Sequence, residues 1–545
     1  MDPLALVADH LDRAGVAADV EVRIDPPTGE GIAQGRTGLM TVHGRDGGAP
    51  RRLGLEVASV ATGILATQGA LAAQIGRLRG MPIERVTVPG LAGALQFVRH
   101  QLAIATGGGS FPFRPGGVPG TPLRTGDGVW VELEVLSGDD WAAFWRQLGL
   151  DGARVVGAAW LPFVYRYLAG ECRVPPELPA AFARHSLAEI QAFAATCGVA
   201  VVPVRLTSAD GVALWTLQPH DAVPARRSTA ETPDAPLRGL RVVEVTSRLQ
   251  GPLAGRLLHQ LGAHVTKVEP PGGDFGRHSP PLAGEFGAAY LAYNDGKDLV
   301  EIDYKSAAGR AELRDLAAGA DVFLHNWRPG RAEELGLDPD SVARANPAVV
   351  HAFASGWGGI DDPPCPIAGD FVVQAYAGTG SLLHPPGAPP LPSRLTLVDV
   401  AGGLLAAEAV LAGLLHRERT GQGCAVGSSL IRAAATLATA ATQPWGPLDG
   451  PIDTTAGFLV VSPEDPQAAQ RLRKDCGLPE TASDVEVRAR LGQAPAAEWA
   501  ETLSVPAVVV PPDLTGLPAD PALTGLLERA GGACWIPGVP WRFDA

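Results

Sequence analysis

The chain has 545 residues, 46% hydrophobic and 19% charged, with 67 glycines and 49 prolines. That is enough apolar material for a loop-rich globular protein of roughly two to four domains, and it excludes a disordered chain. The net charge of −14 has no basic block set against it, so broad nucleic-acid binding is excluded, while a local basic pocket for a phosphate-bearing small ligand is not.

The N-terminus, MDPLALVADHLDRAG, carries acids where a secretory leader carries bases, and a cytoplasmic protein is expected. Six cysteines lie far apart without a CxxC pair, as in a reducing compartment with buried thiols. No HExxH or paired Cys/His spacing points to a metal. Residues 57–77, VASVATGILATQGALAAQIGR, align with 397–417, LVDVAGGLLAAEAVLAGLLHR, at an offset of 340 with eight of 21 positions identical. VVPVRLT at 201–207 returns as VVPPDLT at 509–515, in the same order along the chain. Both echoes read as a partial internal duplication with a shortened later copy.

ARRSTAETPDAP at 225–236 is polar and aperiodic, and a linker is set at 223–236. After it, RVVEV (241–245) reads as a buried strand, PLAGRLLHQLG as a helix and HVTKVE (264–269) as a second strand. Strand, helix, strand in so short a span is a βαβ unit with parallel pairing. LVEIDYK (299–305), a helix on AAGRAELRDLAAG, and DVFLHNW (321–327) continue the alternation. The expected fold class is α/β: a doubly wound, Rossmann-like parallel sheet in a large domain, plus a smaller α+β domain. The apolar run 400–415, VAGGLLAAEAVLAGLL, is short for a bilayer and contains Glu408, so it is expected to be a core helix with no membrane partner.

PIAGDFVVQAYAG (366–378) holds one carboxylate, Asp370, with no Lys, Arg or His within seven positions on either side. An ionised side chain in such company is expensive to desolvate without partners or a chemical task. The residues alone leave two readings, a helix N-cap before FVVQAYAG or a reacting acid.

The order PLRGLRVVEVT…GPLAGRLLHQLGAHVTKVEPPGGDFGR, DGKDLVEIDYKSAAGR, ADVFLHNWRPGRAEELGL, NPAVVHAFASGWGG, AGDFVVQAYAGTGSL and LVDVAGGLLAAEAVLAGLLHRERTGQG resembles the class III (CaiB/BaiF-type) CoA-transferases over about 237–430. Residues 50–220 look like the latter half of the same family. The resemblance therefore implies a truncated copy at 1–222, the linker, a CoA-binding domain with the catalytic aspartate at 237–430, and a shortened small or C-terminal domain at 431–545. It implies a transferase that moves CoA between carboxylic acids through an aspartyl-CoA thioester. Acyl-CoA and a carboxylic acid are then the partners, and coenzyme A is the co-substrate without a metal.

Asp370 and Gln374 match the family's D-x-x-x-Q segment, which carries the catalytic aspartate. The family's nucleotide contacts fall on Arg248, Leu249, Gln250, Lys305, Asn326, Trp327 and Arg328. There Lys305 supplies a point charge, Trp327 a flat face for an adenine and Arg328 a fork for phosphate oxygens. Glu334 stands where many members carry a base, and an acid there would repel a phosphate. GGG at 107–109 matches either the family's glycine-rich loop, supplied in trans, or a plain surface loop. Because members are interlocked homodimers, the fused chain is expected to be a pseudo-dimer, with a homodimer as the other assembly. Two other functions stand beside transfer: an acyl-CoA isomerase or α-methylacyl-CoA racemase pairing Asp370 with His351, and a repurposed, non-catalytic paralogue. Either enzymatic reading requires an opening at Asp370 wide enough for a pantetheine arm.

Overall fold

The computed structural model describes every residue except 18, 115, 207–213, 222–232, 359, 361–362 and 442–444. The expected linker therefore lies, up to residue 232, outside the described residues. The architecture is mixed α/β around one large, mostly parallel sheet. Its strands are β1 (Thr216–Pro219), β2 (Arg241–Val245), β3 (His264–Glu269), β4 (Asp298–Glu301), β5 (Val322–His325), β6 (Val350–Ser355) and β7 (Cys424–Ser429). They lie side by side in the order β4-β3-β2-β5-β6-β7-β1. All neighbours are parallel except β1, which pairs antiparallel with β7. Val-rich β2 is buried from Val242 to Val245, as a central parallel strand must be.

LVEIDYK stops being a strand at Glu301. Asp303 accepts from the Lys305 amide and so forms a turn, and Ser306 caps the helix Ala307–Ala318.

Four helices position the rest: α1 (Val57–Leu78), α2 (Gln250–Gln260), α3 (Asp370–Tyr376) and α4 (Leu397–Thr420). Helices α1 and α4, formed by the two aligned segments, pack on each other, and Gln68 Nε2 donates to the Leu404 carbonyl at 2.6 Å. Gly403 permits the approach of α2, because a Cβ there would lie 2.7 Å from the Gln250 carbonyl oxygen. The α4 helix has 24 residues, longer than the apolar run, so length does not set it apart from a membrane span. Burial does: 94% of its most apolar window lies inside the protein, and 100% of that of α1. Glu408 in its middle is met by His10 Nδ1, 3.0 Å from both carboxylate oxygens, and by Trp215 Nε1 at 2.9 Å.

The two ends of the chain interlock. Strand Arg85–Val88 lies between Glu21–Ile24, parallel to it, and Arg542–Asp544, antiparallel. Strand β1, from the first half, completes the sheet of the second. One main apolar core runs from Leu6 to Trp541, and four smaller ones gather within 123–201, within 243–349, within 452–505 and around Ile32, Met40 and Val460. All six cysteines are free and buried.

Candidate functional site

Within the large sheet, β2, β3 and β4 step outward in one direction and β5, β6 and β7 in the other. In open α/β sheets the place where strand order reverses, here between the carboxyl ends of β2 and β5, is where a ligand crevice forms. Arg248, Leu249 and Gln250 follow β2, and Asn326, Trp327 and Arg328 follow β5. Asn326 ties the two loops together: its Oδ1 accepts from the Ser247 amide at 3.1 Å and its Nδ2 donates to the Ser247 carbonyl at 2.8 Å. Arg248 is exposed at φ 67, the one non-glycine residue with positive φ among the described residues. Such a conformation is costly and marks a turn held by its surroundings.

The seven expected binding residues do not all offer side chains. Leu249 is buried in the main core, so it has only its backbone to present. Gln250 is also buried and donates to the Ser355 carbonyl at 3.2 Å, pinning the start of α2 to the end of β6. Trp327 is half-buried, its ring 4.9 Å from His325 and 6.0 Å from Tyr304. Lys305 and Arg328 are exposed. Arg328 donates to Glu334 at 2.8 Å, as does Arg331. The acid at 334 is thus shared between two guanidinium groups rather than standing alone. Gly108 of the GGG segment bridges to Ala283, and a Cβ on Gly109 would strike the Leu282 backbone, so the segment is packed against the hairpin at 282–287.

Asp370 opens α3, with Gly369 as N-cap. It does not cap its own helix. Its Oδ1 accepts from Gln374 Nε2 at 2.5 Å, and its Oδ2 from the Asp399 amide in the first turn of α4 at 2.7 Å. The carboxylate thus faces the positive end of a long helix. Gln374 is itself anchored to the carbonyls of Ser393 and Leu395, both at 3.2 Å, and to the Ser393 amide at 3.0 Å.

Contrary to the expected opening, Asp370 is 0% exposed. The cover comes from the first half of the chain: α3 packs on strands Trp130–Glu134 and Ala200–Pro203. The Tyr167 ring stacks on Phe371 at 4.4 Å, and its hydroxyl donates to Glu134. Gly369 is required by closeness rather than by φ, since a Cβ there would lie 2.5 Å from both the Tyr167 hydroxyl and Glu134 Oε2. Burial, reinforced by the charge of Asp399, pushes the Asp370 carboxyl well above the usual carboxylate range. His351 does not reach this acid: it sits buried in β6, donates to the Leu337 carbonyl at 2.9 Å, and is lowered to about 4 by burial.

The whole constellation occurs twice, which the sequence reading missed although the pattern G-[D/E]-x3-Q-x3-G was there at the same offset of 340. Gly29, Glu30, Gln34 and Gly38 stand for Gly369, Asp370, Gln374 and Gly378. Glu30 opens the helix Glu30–Arg36 after N-cap Gly29, and Gly38 and Gly378 share a left-handed conformation at φ 77 and 72. Gln34 Nε2 donates to Glu30 at 2.8 Å and to the carbonyls of Leu53 and Leu55, and its Oε1 accepts from the Leu53 amide. The Ser59 amide donates to Glu30 Oε2 at 2.8 Å, as that of Asp399 does to Asp370. The covers are exchanged as well: helix Glu30–Arg36 packs on Phe458–Val461 and Ala507–Val510 of the second half. Unlike Asp370, Glu30 is only half-buried and borders a cavity of about 440 Å³ together with Arg52, Asp449 and Ser462.

The sequence profile of CoA-transferase family III matches residues 24–213 and 237–505. The chain belongs to that family. A probable fatty acyl-CoA transferase of Mycobacterium tuberculosis is 41% identical over 196 residues, which is 35% of this chain and 49% of the relative. Mouse succinyl-CoA:glutarate CoA-transferase is 29% identical over 51% of this chain and 66% of the relative. Acetyl-CoA:oxalate CoA-transferase of Acetobacter aceti is 29% identical over 58% and 91%. The chain thus spans about half the length of the mycobacterial relative and just under two thirds of the mouse enzyme. A solved structure of the mycobacterial protein superimposes with a TM-score of 0.49, at 31% identity, over 57% of this chain and 94% of that one.

Proposed function

We propose that the chain transfers CoA between carboxylic acids, with Asp370 as the nucleophile. The observation that carries this reading is the placement of Asp370. It opens the helix that follows β6, one strand from the switch in strand order between β2 and β5, and Gln374 and the α4 amide hold its carboxylate in place. The large sheet then acts as a doubly wound, Rossmann-like CoA-binding unit, with Arg248, Lys305 and Arg328 as the phosphate-facing cations and Trp327 beside the adenine. In this reading Asp370 attacks the acyl-CoA carbonyl and expels the thiolate, giving a mixed anhydride. The thiolate returns to the aspartyl carbonyl and releases the first acid. A second acid then takes the acyl position and carries the CoA away. Because Asp370 is closed off, the first half must withdraw Tyr167 before the pantetheine arm enters.

The two matched segments, the repeated constellation and the exchanged covers support a tandem of a truncated and a fuller copy folded as a pseudo-dimer. The assignment is tested by exchange of isotope-labelled carboxylic acid into acyl-CoA by the full chain. Wild type should exchange, and Asp370→Asn should not while keeping its melting temperature. Uptake of solvent deuterium at the acyl α-carbon without exchange would instead indicate isomerase or racemase chemistry.

A further inference from the structure

The two covers fit their acids differently. A Cβ on Gly369 would lie 2.5 Å from the Tyr167 hydroxyl, whereas on Gly29 the nearest atoms would be Ser462 Oγ at 3.3 Å and Glu464 Oε1 at 3.6 Å. The covering strands account for this. In the first half the chain between them runs 135–199 and supplies Tyr167; in the second half it runs 462–506, is shorter and contains no tyrosine. The space beside Glu30 is the cavity of about 440 Å³, inside the range of about 300–1,000 Å³ that holds small molecules.

Both halves line it. Glu30 has two donors on each oxygen, Gln34 Nε2 and the Ala58 amide on Oε1, the Ser59 amide and hydroxyl on Oε2, so it is held rather than poised to react. Across from it Asp465 caps the helix Pro466–Asp475 through the Ala468 amide at 2.6 Å. Neither acid has an ion pair among the described residues, while Asp484 is met by Arg473 at 2.7 Å. One cation lines the cavity, Arg52. Its side chain is only 9% exposed and forms an ion pair with Asp449 at 3.0 Å, yet makes no hydrogen bond among the described residues. A buried guanidinium left so is a donor awaiting an acceptor. Leu448, Val460 and Val461 supply an apolar wall.

We propose that this cavity binds an amino acid with an apolar side chain. The ligand's carboxylate meets the Arg52 guanidinium, its ammonium meets Glu30 and Asp465, and its side chain lies on Leu448, Val460 and Val461. Acyl-CoA does not suit the cavity, because carboxylates that outnumber the cations repel its phosphates. The site stands apart from Asp370 and does not depend on the transferase reading.

The test is calorimetric titration of the full chain with leucine, phenylalanine and methionine, followed by displacement with isoamylamine, which lacks the carboxylate, and isocaproate, which lacks the ammonium. At least one amino acid should bind saturably, one per chain, and raise the melting temperature. Each fragment should displace it only at concentrations at least tenfold higher. Arg52→Gln and Asp465→Asn should each weaken binding at least tenfold; asparagine keeps the helix cap, so loss of fold in the arginine variant does not end the test. No saturable binding of any of the three, displacement by either fragment at equal concentration, or undiminished affinity in either folded variant overturns the proposal.

Discussion

Replacing Tyr167 with phenylalanine isolates the contact that closes the pocket over Asp370. The substitution keeps the ring on Phe371, stacked at 4.4 Å with an interplanar angle of 12°, and removes only the hydroxyl that donates to Glu134. Glu134 retains Arg166 at 3.1 Å, so no acid is stranded. A hydrogen bond to a charged acceptor contributes about 1.5–3 kcal/mol, and each 1.4 kcal/mol is tenfold in an equilibrium constant. If the pocket opens by Tyr167 swinging away from Glu134, its neighbour within the first half, losing that bond should raise the open population roughly tenfold or more. The single-turnover rate of acyl-CoA consumption at limiting substrate reads this directly, and it should rise by a similar factor with little change in melting temperature. An unchanged or slower rate in a folded variant would refute Tyr167 as the closing contact.

Three other expectations follow from the packing. Burial draws the His10 imidazole down, yet the charge and hydrogen bond of Glu408 outweigh it and hold it above its ordinary value of 6.5. A raised folded value means the pair stabilises fully below pH 6.5 and is lost as pH rises through that raised value. Melting temperature should therefore fall on the alkaline side, and His10→Gln should flatten that slope; identical slopes would contradict it. Gln34→Ala strips three backbone groups of their partner and should cost about 2–3 kcal/mol in chemical denaturation, without lowering CoA transfer per folded molecule. Gln374→Ala should cost a similar stability and also abolish transfer, because it releases the Asp370 carboxylate; equal loss of transfer in both would remove the distinction between the two halves. Ending the chain before Trp541 removes the Trp541 Nε1 bond to the Leu65 carbonyl at 2.6 Å and the outer strand on Arg85–Val88. Limited proteolysis should then cut the first-half strands sooner than in the full chain.

Much of the second half was legible because its signals are local. RVVEV and HVTKVE fold as strands with the limits their valine patterns suggest, and Gln250–Gln260 and Ala307–Ala318 follow the apolar spacing. Asp370 stood out for the same reason, a lone acid in apolar surroundings. What the sequence hid depends on distant partners. Burial of Leu249 and Gln250 comes from α4 and β6, and closure over Asp370 from Tyr167, some two hundred residues earlier. Glu408 marked its run as a core helix, but its partners, His10 and Trp215, come from distant segments. The repeat of Asp370 at Glu30 escaped because only glycines and one glutamine persist between the segments, and identity of hydrogen-bond partners is not written in residue names.

The most direct measurement is mass spectrometry of the full chain after incubation with acyl-CoA and hydroxylamine, which converts an activated carboxyl into a hydroxamate. The account predicts one hydroxamate per chain, on Asp370 within the peptide 366–378, and none on Glu30. A hydroxamate on Glu30, or an unmodified Asp370 in a chain that is visibly transferring CoA, would contradict it.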